Sequence, residues 1–167
     1  MKALMISADR FEDTELLVPL YRLPEEHIQV DVASFEEGPI TGLHGYTVDA
    51  GLALENVDPT AYDLLVLPGG KAPATLREQP AALSIAAHFF EEKKPVAAIC
   101  HGPQILAAAG VLQGMQVTCV ASVAPEVETA GAAYVDREVV VDAHLVTSRT
   151  PGDLPAFLRE TMRAIRP

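Results

Sequence analysis

Tryptophan is absent from this 167-residue chain, aromatic residues make up only 5 % of it, and cysteine occurs twice, at Cys100 and Cys119. Two thiols are too few for a disulfide framework of the kind that staples small secreted domains. They are also too few for a structural zinc site. Positive charge is scarce: 12 Lys and Arg stand against 23 Asp and Glu, a net charge of −11. Such a field repels nucleic-acid backbones and argues against a nucleic-acid partner. No apolar run approaches the roughly 18 residues of a membrane span, so no membrane partner is expected. The first residues, Met1 to Ser7, begin like a secretory leader, but Asp9, Arg10, Glu12 and Asp13 arrive too early for its apolar region. The segment reads as a first strand, with the cytoplasm as the expected location. There is no cluster with metal-ligand spacing and no phosphate-cradling P-loop, so neither metal nor cofactor is expected.

Apolar residues are plentiful, at 49 %, and the length suits one domain over residues 1–167 that buries roughly 70 % of its unfolded surface. Ala3–Ser7, Ile28–Ala33, Asp63–Leu67 and Pro95–Ile99 are compact apolar runs. Phe11–Arg22, Ala81–Lys93, Pro103–Ala109 and Ala124–Gly131 carry helical spacing. Continuous apolar strands between amphipathic helices predict an α/β protein whose mostly parallel sheet is covered on both faces. Thr41–Leu54 reads as a hairpin or small ribbon. Met115–Ala121, Ala133–Val135, Glu138–Val141 and His144–Thr147 read as further strands. Thr150 as cap and Pro151 at the first helical position predict a last helix running to about Ile165.

In sheets of this kind ligands gather beyond the carboxyl ends of the strands. There, Val96–Ile99 meets Pro103 with only Cys100, His101 and Gly102 between. So abrupt a strand-to-helix turn puts the middle residue on a strained elbow, the logic of a nucleophile elbow with Cys in place of Ser. Gly102 removes a side chain where strand and helix approach. The following helix aims its N-terminus at Cys100, which predicts a lowered thiol pKa. His101 is either general base or ion-pair partner to the thiol, or a plain loop residue. Pro68-Gly69-Gly70 offers backbone N–H groups to an oxyanion, or is merely a turn. Glu12 is either a carboxyl that shares a proton with Cys100 or a charge favouring a helix N-terminus. His44, in its Gly-flanked turn, either lines the site or is a surface residue. Cys119 reads as a buried strand residue.

Taken together, Phe11-Glu12-Asp13 with Glu15, Ile40-Thr41-Gly42 through Gly45-Tyr46, Leu67-Pro68-Gly69-Gly70, Ala98 through Gln104, and Ser148-Arg149 with Pro151 and Asp153-Leu154 resemble the PfpI-type intracellular protease family, within the class I glutamine amidotransferase-like superfamily. The resemblance covers nearly the whole chain. It implies a flavodoxin-like three-layer sandwich, a nucleophilic Cys100, a hydrogen bond from Glu12 to the thiol, and oxyanion N–H groups on Gly70 and His101. It also implies assembly as a homodimer or homohexamer. Activities known in the family are peptide hydrolysis, glyoxalase action without glutathione, and deglycation of methylglyoxal-modified amines and thiols. Two positions depart from the pattern. Protease-like members carry a glutamate where this chain has Ala74, so His101 lacks its orienting partner unless Glu78 substitutes. Several relatives carry a tyrosine where this chain has Val120.

Three functions follow as expectations. The first is an enzyme of small reactive carbonyls such as methylglyoxal, in which a Cys100 thiolate adds to the carbonyl. The second is an oligomeric intracellular cysteine peptidase. The third is a non-catalytic stress sensor or chaperone whose cysteine is oxidised.

Overall fold

A computed structural model describes residues 1–166. In chain order the elements are β1 (Lys2–Ile6), α1 (Asp13–Glu25), β2 (Gln29–Ser34), β3 (Gly38–Thr41), β4 (Thr47–Ala50), β5 (Leu52–Ala53), β6 (Leu64–Leu67), α2 (Ala72–Leu76), α3 (Pro80–Glu91), β7 (Val96–Ile99), α4 (Pro103–Ala108), β8 (Gln116–Val117), α5 (Ala124–Thr129), β9 (Ala133–Tyr134), β10 (Val139–Asp142), β11 (Leu145–Ser148) and α6 (Leu154–Ala164).

Among the described residues, seven strands form the main sheet in the order β10-β11-β7-β6-β1-β2-β5. Only β10 runs antiparallel. Taking β2, β1, β6, β7 and β11 as the frame gives the doubly wound, flavodoxin-like order 2-1-3-4-5. Every residue of β6 and β7 is buried, which is why these strands are apolar without alternation. α1 and α6 pack together against the sheet, and α3 and α4 pair elsewhere with α2 and α5 beside them. Phe11, Phe89 and Phe157 are among the largest fully buried side chains. α1 tolerates Pro19 and Pro24 because Leu16, Pro19 and Leu23 bury one face, and packing offsets the lost amide bonds.

The ribbon expected over Thr41–Leu54 starts earlier and ends sooner, as the antiparallel pair β3 (Gly38–Thr41) and β4 (Thr47–Ala50) with Ile40 opposite Val48; β5 then rejoins the main sheet beside β2. Met115–Ala121 is shorter than expected. Only Gln116 and Val117 pair, because their partner β9 is two residues long. Thr118 already donates its amide to the Thr147 hydroxyl instead. Cys119 is fully buried beyond that strand. Thr150 makes no side-chain cap; Pro151–Asp153 is a single 3-10 turn before α6. The Asp153 carboxylate is drawn away to the Arg149 guanidinium at 2.9 Å. The short helix α2 carries no long apolar pattern of its own.

Candidate active site

The carboxyl ends of β1, β6, β7 and β11 meet at Cys100. β7 stops at Ile99 and α4 starts at Pro103, and Cys100 between them takes φ +62°. A non-glycine residue in this region costs on the order of 1–3 kcal/mol and persists only where its surroundings enforce it. They do so through three main-chain bonds: Cys100 N–H to Ser148 C=O at 3.0 Å, Val120 N–H to Cys100 C=O at 3.2 Å, and Gly102 N–H to Ile99 C=O at 2.8 Å. Gly102 is required at the elbow, since a Cβ there would run into the Leu67 carbonyl oxygen.

Gly69 and Gly70 form the opposite lip. A Cβ on Gly69 would lie 2.5 Å from Glu15 Oε2 and 2.7 Å from the Cys100 Cβ. Gly70, at φ +83°, bridges to Phe11. The N–H groups of Gly70 and His101 are not consumed by the backbone network. Both act on the Cys100 sulfur and favour its thiolate.

The carboxyl beside the sulfur belongs to Glu15 rather than Glu12. Glu12 is the N-cap of α1; its Oε2 accepts from the Glu15 N–H at 3.0 Å and from the Thr14 hydroxyl. The Glu12 amide is itself spent on the Gly69 carbonyl. Glu15, fully buried on the first turn of α1, accepts the Gly69 N–H at 2.8 Å and reaches the Cys100 thiol. Burial, helped by the negative charge of Glu12, pushes the Glu15 carboxyl up to about 8. Glu15 therefore keeps a proton at neutral pH.

Burial first, and then the charge of Glu15, push the Cys100 thiol up to about 12, against the pull of the Gly70 and His101 N–H groups. The expectation of a thiolate made by helix dipole alone is corrected here. Cys100 is only 8 % exposed, and α4, six residues long, does not outweigh the desolvation. The two acids are coupled. With Glu15 protonated, its charge no longer opposes the thiolate and its hydroxyl can donate to the sulfur.

His101 Nδ1 lies 3.3 Å from the Cys100 sulfur. Burial lowers the His101 pKa, so its ring is neutral and available as a base. Its Nε2 has no hydrogen-bond partner among the described residues. Ala74 and Glu78 are exposed on and just after α2, and Val120 touches the site through its main chain. His44 stands at the edge, its side chain 68 % exposed and its Nε2 3.6 Å from Glu12 Oε1. Its turn is held by buried Asp13, which accepts the N–H groups of His44 at 2.9 Å and Tyr46 at 3.0 Å.

Glu15 is visible in the sequence only as part of the family pattern. Its signal is Glu12-Asp13-Thr14-Glu15, an N-cap followed by an acid at the third helical position. In a closed capping box that acid returns to the cap amide. Here the Gly69 carbonyl occupies the cap amide, which releases Glu15 toward the sulfur.

Residues 1–164 match the model of the DJ-1/PfpI family. Deglycase TK1284 of Thermococcus kodakarensis is 53 % identical over 99 % of this chain and all of its own length. Deglycase PfpI of Pyrococcus furiosus is 50 % identical over the same shares. Among solved structures, the chain superposes with TM-score 0.95 and 32 % identity on a two-domain protein of Anabaena variabilis that contains DJ-1/ThiJ/PfpI-like and ferritin-like domains, covering 97 % of this chain and 47 % of that one. Agreement along nearly the full length, in the family model and in relatives half identical to it, means that this chain belongs to the DJ-1/PfpI family.

Proposed function

We propose that the protein is a cysteine-dependent deglycase or glyoxalase acting on methylglyoxal and its adducts. The observation that carries this reading is the juxtaposition at Cys100 of the buried Glu15 carboxyl, the His101 imidazole at 3.3 Å and two N–H groups that no backbone acceptor takes. The His101 Nδ1 accepts the thiol proton, and the sulfur forms a bond to the aldehyde carbon. The carbonyl oxygen gains negative charge between the Gly70 and His101 N–H groups and takes the Glu15 proton. With free methylglyoxal, proton transfer from the sulfur-bearing carbon to its neighbour converts the adduct into a thioester. Water then cleaves the thioester to a hydroxy acid and the thiol, and the proton held by the His101 imidazolium returns to the Glu15 carboxylate, restoring the starting state. The Thermococcus and Pyrococcus relatives are named deglycases, which supports the deglycase half of this reading. Unpaired thiols at Cys100 and Cys119 suit a reducing cytoplasm.

A peptidase reading draws support from the Cys100–His101 pair. It is weakened by Ala74, since no carboxylate among the described residues accepts from the His101 Nε2 to orient the imidazole for protonating a leaving amine. The test is methylglyoxal consumption beside peptide cleavage, each with Cys100→Ser and Glu15→Gln. Cys100→Ser is expected to abolish carbonyl turnover and Glu15→Gln to lower it to a measurable residual rate. Turnover that persists undiminished in Cys100→Ser refutes the mechanism.

A further inference from the structure

We propose that Glu126 is a positioning residue for the thiol site, holding the site's two N–H-bearing halves at a fixed separation through simultaneous contacts with Arg77 and Gln104. The proposal rests on the reading of Cys100 as the nucleophile. One half of the site, Gly69-Gly70, leads directly into α2, and Arg77 is the residue that closes α2. The other half, Cys100-His101, leads directly into α4, and Gln104 is the second residue of that helix. Glu126 belongs to neither; it sits in the first turn of α5. Its Oε1 pairs with the Arg77 guanidinium, and its Oε2 accepts from the Gln104 Nε2 at 2.8 Å. One carboxylate thus bridges the two elements that carry the Gly70 and His101 donors.

The bridge is specific in direction. Gln104 is buried, and its Oε1 has no hydrogen-bond donor. A turned-over amide would face that oxygen toward the carboxylate and lose the only side-chain bond Gln104 makes among the described residues. Donors to a developing charge act through their placement, and a displacement of ~1 Å at a reacting centre costs up to about 10²-fold in rate. Glu126 reaches the chemistry only through Arg77 and Gln104.

The experiment measures the pH dependence of Cys100 alkylation by iodoacetamide, together with kcat and KM for methylglyoxal, on the full-length protein and on Glu126→Ala, Glu126→Gln and Arg77→Ala. Looser donors favour the thiolate less, so Glu126→Ala is expected to move the alkylation midpoint up by about half a pH unit and to lower kcat roughly tenfold, with KM within about twofold. Glu126→Gln keeps a polar group that can accept from Gln104 and is expected to recover most of both. Arg77→Ala, altered near the surface, falls between. A Glu126→Ala protein that melts earlier but alkylates along the wild-type curve overturns the proposal. If Glu126→Ala does not fold, Arg77→Ala decides, and an unchanged curve there overturns it too. If the unaltered protein leaves methylglyoxal unconsumed, the catalytic reading fails, while the alkylation curves still decide the role of Glu126.

Discussion

Glu15 holds a proton that the unfolded chain releases at ordinary acidity. Its folded value is about 8 against 4.5 for a free glutamate, with burial as the main cause. Between those two values the folded chain binds one more proton than the unfolded chain, so stability from this group falls as pH rises through the window and the full cost is felt above ~8. A tenfold change in proton affinity corresponds to about 1.4 kcal/mol, which makes the cost a few kcal/mol. Glu15→Gln should therefore resist urea better than wild type above pH ~8 and match it below pH ~4.5, as equilibrium unfolding at the two pH values will show. Activity should carry the same signature. As the acid form of Glu15 disappears above about 8, kcat/KM for methylglyoxal should decline, and the descending limb should vanish in Glu15→Gln. Gly69→Ala should cost on the order of 10²-fold in kcat, because its methyl would collide with both Glu15 and Cys100. Steady-state kinetics on a folded sample checks it. The cysteine elbow and the glycine pair are legible in the sequence because Gly and Pro fix local backbone shape. The choice between Glu12 and Glu15 is not, since both lie in one helical turn and the Gly69 carbonyl that decides between them comes from a distant strand end.

The elements that line the site are legible in proportion to how far neighbours constrain them. β6, β7 and β1 from Ala3 onward lie between other strands and under helices, so these residues are apolar throughout and stand out. β8 has a two-residue partner, and nothing in Met115–Ala121 announces where pairing stops. α6 begins later than its leading residues suggest because Asp153, which resembles an acid of the first helical turn, serves Arg149 instead. The β3–β4 hairpin shows the same dependence on a distant group. Its turn hangs on Asp13, whose two oxygens take the His44 and Tyr46 amides. Asp13→Ala should cost about 2–4 kcal/mol, the worth of charged hydrogen bonds plus the burial left unmet. Hydrogen exchange at the His44 and Tyr46 amides should speed up by more than at β1. Protection unchanged at those amides would show that the turn stands without the carboxylate.

Across the whole molecule, acidic side chains outnumber basic ones by nearly two to one, and the resulting repulsion opposes compaction. Raising sodium chloride from low concentration to ~0.5 M shrinks the screening length below about 5 Å. The thermal midpoint should rise by a few degrees, as calorimetry will test. Surface ion pairs such as Arg22–Glu26 weaken in the same salt, but solvent already screens them and their loss is small beside the relief of net repulsion.

The groups around the sulfur come from positions 15, 69, 70, 100 and 148 of the chain, so no fragment contains them all. During synthesis the cysteine leaves the ribosome long before the serine whose carbonyl will anchor it. Until that last parallel strand docks, Cys100 lacks the carbonyl that holds its amide in the finished fold. The strained elbow is thus set only once the final parallel strand is in place, and a chain clipped before it has no means of locking the sulfur where the finished fold puts it.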